Sequence, residues 1–164
     1  MTPEFSRGVN LARLPPEGRE ERLAASAAEC AALARRFAIP AVNRLEAVLL
    51  LCPEPGGMAT VTGRLSAEVV QECVVTLEPV TQVVEEAVAL RIVPPGHEPA
   101  EDPEAPDEIE SAGDTVDLGE AVAEQLALAL DPYPRAPGAT FAGEGAGDAP
   151  SGPFAALEAL RKGR

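Results

Sequence analysis

A single α+β domain, with a strongly curved or barrel-like, largely antiparallel sheet flanked by two helices, is the fold class this sequence predicts. Three observations predict it. Apolar residues recur with period two through most of the stretch from Val42 to Val93, two capped segments of helical period opening at Ser26 and Asp117 bracket that stretch, and short turn-forming runs separate its alternating segments. A length of 164 residues with 46% apolar content suits one core of ordinary size and argues against a second full domain. Aromatic residues make up only 3%, so that core is aliphatic and stacking on nucleobases has little to work with.

Taken in order, Phe5 to Ala25 carries Phe5, Val9, Leu11, Leu14 and Leu23, interrupted by Pro15, Pro16 and Gly18, which reads as two short extended segments around a turn. Ser26-Ala27-Ala28-Glu29 has the form of a capping box, in which the hydroxyl and the carboxylate each accept an otherwise unpaired backbone N–H. Cys30, Leu33, Ala34 and Phe37 follow at helical spacing, predicting a helix over 27–37 that Pro40 ends. Arg35 and Arg36 lie in its last turn, where positive charge suits the helix dipole. Leu45, Ala47, Leu49 and Leu51 then alternate with Arg44, Glu46, Val48 and Leu50, and Pro53 to Gly57 turns the chain back into Met58 to Leu65.

A further strand is predicted over Ala67 to Leu77, with Val69, Gln71, Cys73, Val75 and Leu77 on one face. Pro79 marks a turn, and Val84, Val88, Leu90 and Ile92 share one face of the next strand. Residues 94–107 read as a flexible loop rich in proline and acids, after which Glu108 to Ser111 rejoins the sheet. Asp117 caps a second helix with Glu120 completing its box, and Leu118, Ala121, Val122, Gln125, Leu126 and Leu128 make that helix amphipathic until Pro132. The domain is thus expected over 1–132. Residues 133–164 read as a Gly/Ala/Pro-rich tail, disordered or loosely wrapped, with a short terminal helix over Phe154 to Leu160.

The formal charge is −14 and unevenly spread: no Lys or Arg occurs between Arg91 and Arg135. Such a chain repels phosphate at long range, so direct RNA contact would rest on the local basic set Arg13, Arg19, Arg22, Arg35, Arg36 and Arg44. No aromatic residue interleaves with that set, and pairing with Glu17, Glu20, Glu21 and Glu29 explains it as well. Cys30, Cys52 and Cys73 are odd in number and widely spaced, with no signal peptide before them, which predicts reduced thiols in a cytoplasm. The apolar runs are too short to span a bilayer as helices.

Candidate chemistry is thin. A structural zinc site wants four clustered ligands, and position 76, where Cys73 would have a C-x-x-C partner, holds Thr76. Neither a metal nor a cofactor is expected, and Cys73 reads as a buried apolar thiol. His97 is the sole histidine, set in an acidic loop with no nucleophile evident beside it. Carboxylate pairs such as Glu85 with Glu86 and Asp107 with Glu108 are uninformative in so acidic a chain. Gly143 to Gly147 follows no strand and so lacks the context of a phosphate loop. No catalytic residue is assigned, and the protein is expected not to be an enzyme.

The segment Val70-Gln71-Glu72-Cys73-Val74-Val75-Thr76-Leu77-Glu78-Pro79-Val80, preceded by Val61-Thr62-Gly63-Arg64-Leu65, resembles the central signature of the YceD-like family of large ribosomal RNA subunit accumulation proteins. Many relatives carry a second cysteine where this chain has Thr76, a variant similar to the alphaproteobacterial branch. Ser26 to Phe37, Gly113 to Glu120, Asp131 to Gly138 and Pro153 to Leu157 resemble that branch too, so the likeness runs over nearly the whole chain. It implies a cytoplasmic, non-enzymatic ribosome biogenesis factor that supports accumulation or processing of large-subunit (23S) rRNA. The implied partner is a ribosomal precursor particle, its rRNA or a biogenesis protein.

The alternative is a protein-binding adaptor that recruits another factor without touching RNA. Arg35, Arg36, Arg44, Gln71 and Glu78 are the candidate partner or RNA surface. Gln71 reads equally as a hydrogen-bonded core amide, and Glu78-Pro79 as turn chemistry. Which surface works, and in what oligomeric state, the residues leave open.

Overall fold

The computed structural model describes residues 2–141. Its elements in chain order are β1 (Gly8–Asn10), a 3-10 turn (Leu11–Arg13), β2 (Arg19–Ala24), α1 (Ala27–Phe37), β3 (Ala41–Glu54), β4 (Met58–Glu72), β5 (Pro79–Val93), β6 (Asp107–Glu110), β7 (Thr115–Asp117) and α2 (Leu118–Ala129). The main sheet runs β2-β3-β4-β5-β6, antiparallel throughout except that β6 joins β5 in parallel, and β1 with β7 forms a separate antiparallel ladder. β2 and β6 each have a single strand neighbour, so the sheet stays open and does not close into a barrel.

The capping box forms as expected: Glu29 N–H donates to Ser26 Oγ at 3.3 Å and Ser26 N–H to the Glu29 carboxylate at 2.7 Å. The helix ends earlier than Pro40, at a left-handed Ala38 (φ 53°) whose N–H closes onto Ala34 and Arg35 carbonyls. At α2 the Asp117 carboxylate accepts from Glu120 N–H at 3.2 Å, but Glu120 does not return the bond. Its carboxylate is taken by Arg36 at 2.7 and 2.9 Å.

The stretch expected as two strands, Met58 to Leu65 and Ala67 to Leu77, is one strand of 15 residues ending at Glu72. Ala59, Val61, Leu65, Ala67, Val69 and Gln71 keep one parity and all are buried, so the alternation never breaks. The β3–β4 hairpin turns on Gly56 and Gly57, both at positive φ (81° and 75°). A bulge at Val42/Arg44 and the close approach of Gly63, where a Cβ would lie 2.0 Å from Val48 O, bend the β3–β4 pair.

One face of the sheet carries the core, an aliphatic cluster of Leu45, Leu49, Leu51, Val61, Leu65, Val69 and Ile92 covered by Leu33 of α1 and Leu118 and Leu126 of α2, with Phe5 sealing one side. The other face is solvated and leaves Val48 and Leu50 over 40% exposed. Leu128, expected on the buried stripe of α2, points outward. The 94–106 loop is exposed, held by Gly96 N–H on the Glu110 carboxylate at 2.9 Å and Ala100 N–H on that of Glu108 at 3.2 Å. Packing continues past residue 132, since Pro134 is buried against the end of β4. The expected terminal helix over 154–160, the glycines of 143–147 and the tail from 142 onward lie outside the described residues.

Candidate functional site

The register sets the geometry. Ala41 pairs with Val70, so the C-terminal end of α1 and the loop after β4 lie at the same end of the sheet. There the signature segment changes character: Gln71 and Glu72 finish the strand, and Cys73 to Glu78 form a turn. Cys73 N–H donates to Glu78 O at 2.8 Å, Leu77 N–H to Cys73 O at 2.9 Å, and Thr76 N–H to Cys73 Sγ at 3.4 Å. The Thr76 hydroxyl donates to the Glu78 carboxylate at 3.3 Å and accepts Glu78 N–H at 3.4 Å. Leu77, expected in a strand and on one face with Val69 and Gln71, sits at φ 61° with its side chain out. A left-handed leucine is costly and persists only where its surroundings over-determine it.

Those surroundings include Asp131 to Ala136, the chain leaving α2. Gln71 Nε2 donates to Asp131 O at 2.9 Å and Val74 N–H to Pro134 O at 2.9 Å. Gln71 is thus a buried amide bonded through its nitrogen, with Oε1 unpartnered among the described residues, and Glu78 is an exposed turn residue. Cys73 is fully buried beneath this strap, and its thiol is held down at about 7, chiefly by the Ala136 backbone N–H and then by Thr76. The thiolate is favoured but enclosed, so it serves the turn as a hydrogen-bond acceptor and presents no nucleophile to solvent. Cys30 is buried also, and burial pushes its thiol up.

The arginines divide. Arg36 spans α1 and α2 through its two bonds to Glu120 and a third to Glu4 at 3.2 Å. Arg44 points away from the core, on the side of the sheet opposite α1, and meets Glu46 and Ser66 Oγ, each at 3.1 Å. Arg7, Arg19, Arg22 and Arg91 are paired with Glu29, Glu21, Glu20 and Glu54. Arg13, Arg35, Arg64 and Arg135 form no ion pair with a described residue. Of the candidate surface, Arg36 is held in the bridge to Glu120, Gln71 is buried and Arg44 lies on the far side of the sheet, while Arg35 and Glu78 are exposed.

His97 Nε2 lies 4.0 Å from the Glu108 carboxylate on the exposed loop. No group of three or more metal-ligating side chains occurs among the described residues. Sequence reasoning missed the long edge of β5: β6 pairs only with Leu90 to Val93, leaving Pro79 to Ala89 without a strand on that side among the described residues. The absence of Lys and Arg from 65–90 was the one legible hint that this edge is acidic.

The family model described as "Large ribosomal RNA subunit accumulation protein YceD" matches residues 61–161, a span that takes in most of β4, the signature turn, β5 and α2. No curated protein and no solved structure matches the chain.

Proposed function

Because this chain belongs to the YceD family of large ribosomal RNA subunit accumulation proteins, we propose that it acts in ribosome biogenesis, supporting accumulation or processing of 23S rRNA by binding and without catalysis. The observation that carries this reading is the family span itself, which includes the signature turn and the strap that buries it. Its site of action is the cytoplasm, and its partner a ribosomal precursor particle. The enclosed Cys73 thiol and the lone loop histidine are in keeping with a binding role.

The adaptor reading gains from one specific observation. Among the described residues six of ten arginines are engaged with glutamates (Arg7, Arg19, Arg22, Arg36, Arg44 and Arg91), which leaves Arg13, Arg35, Arg64 and Arg135 there to replace counterions on an RNA backbone. Contact with the particle through one of its proteins needs no such surface. The test is depletion of the protein in growing cells with 23S and 16S rRNA quantified, alongside affinity capture of the tagged chain. A fall in the 23S to 16S ratio with recovery of precursor particles is expected, and an unchanged ratio would overturn the reading. Capture that survives Arg35→Ala with Arg64→Ala, two arginines without an ion pair among the described residues, favours the adaptor, whereas salt-sensitive capture lost in that variant favours direct RNA contact.

A further inference from the structure

β5 is paired along its length with β4 on one side, but on the other side only its last four residues, Leu90 to Val93, meet β6. From Pro79 to Ala89 that side has no strand partner among the described residues, and none of them makes a backbone hydrogen bond to this stretch outside the β4 ladder. The unpaired stretch holds Val80, Thr81 and the exposed Val83, with Val84 and Val88 turned into the core, and it has no Lys and no proline after Pro79. Its only charges are the carboxylates of Glu85 and Glu86, which oppose pairing with an acidic strand and leave pairing with a basic one open. The opposite edge differs: β2 has only six residues, and it is laced by the Arg19–Glu21 and Arg22–Glu20 pairs.

Alongside the open edge runs a groove of about 430 Å³ between Gln82 to Glu86 and the end of α2 at Ala129 and Asp131, continuing past Leu128. Val83 and Leu128 are 63% and 78% exposed beside it. Its charge is of one sign. Glu85, Glu86 and Asp131 form no ion pair with a described residue, and neither 79–89 nor 118–131 contains a Lys or Arg.

We propose that the open edge of β5, with the groove beneath the end of α2, receives an extended lysine- or arginine-rich segment of a partner protein as an added strand. Main-chain hydrogen bonds supply its affinity, Val83 and Leu128 take apolar side chains, and Glu85, Glu86 and Asp131 select for positive ones. RNA is repelled by the same carboxylates. A second copy of the chain is disfavoured, because pairing two such edges across their middle sets Glu85 and Glu86 of both copies together. The proposal rests on the adaptor reading and names its surface.

The test uses the full chain, isotope-labelled for NMR, titrated with a synthetic heptapeptide of alternating lysine and valine. Saturable shifts confined to residues 80–89 and 125–131 are expected. Binding should weaken at least fivefold in the Glu85→Lys, Glu86→Lys double variant, whose fold is checked by circular dichroism. An equal response to the matching glutamate–valine peptide, shifts centred instead on Val48 and Leu50, or undiminished binding by the double variant would each overturn it. So would preferential binding of an RNA oligonucleotide at this edge, concentration-dependent self-association through it, or edge shifts that respond only to removal of residues 154–164. Failure here is separable from failure of the broader reading: rRNA loss on depletion would persist, while the double variant would restore it as well as the unaltered chain does.

Discussion

At the start of α1 the Glu29 carboxylate accepts from Ser26 N–H at 2.7 Å and from both terminal nitrogens of Arg7 at 2.7 and 3.0 Å. Arg7 first and the Ser26 N–H next hold this carboxyl down at about 2. A folded-state pKa below the unfolded value means stabilisation that is complete above about pH 4.5 and lost as pH falls toward 2. Glu29→Gln should therefore cost roughly 1–3 kcal/mol at neutral pH, with the gap to the unaltered protein closing in acid, as read by urea unfolding across pH. The box half of this arrangement was legible, because Ser26 and Glu29 lie one helical turn apart. Its arginine was not, being 22 residues away in sequence. The same logic explains Glu120, whose spacing from Asp117 fits a box but whose carboxylate goes to Arg36, 84 residues distant. A charged, bidentate partner outcompetes one neutral backbone N–H.

Among the elements, β4 and its turn show what periodicity can and cannot do. Alternation put Val69 and Gln71 on one face, which the structure buries together with Val61, Leu65 and Ala67, and the same parity continues through Cys73, Val75 and Leu77 after the strand has ended. What ends it is the Asp131 to Ala136 strap, which takes the Gln71 side chain and the Val74 N–H in place of a neighbouring strand. Truncation after Leu130 should expose Cys73 and remove the Ala136 N–H that favours its thiolate. We expect the truncated protein to react rapidly at Cys73 with a disulfide reagent in the native state, where the intact chain reacts slowly, and to lose roughly 1–3 kcal/mol in urea unfolding. Equal thiol reactivity of the two proteins would mean that the strap does not shield the turn.

Across the whole molecule, a formal charge of −14 is only partly relieved by local pairs, since Glu85, Glu86 and the acids of the 94–106 loop add like charge along one side of the sheet. Salt screens this repulsion, so raising sodium chloride from about 50 to 500 mM should stabilise the fold by about 1 kcal/mol, a rise of a few degrees in Tm by calorimetry, despite weakening the surface ion pairs. A fall in Tm would show that those pairs outweigh the excess charge. By itself the sequence determined the α+β class, both helix starts, the aliphatic core face and the acidic balance. Each rests on spacings of two to four residues or on composition, which survive without knowledge of neighbours. Only the tertiary structure decided which glutamates the paired arginines engage, that Asp131 to Ala136 covers Cys73, and that β5 has an acidic edge without a strand partner among the described residues. Those outcomes depend on groups brought together from tens of residues apart or more, where chain closure and competition among many acids select the partner.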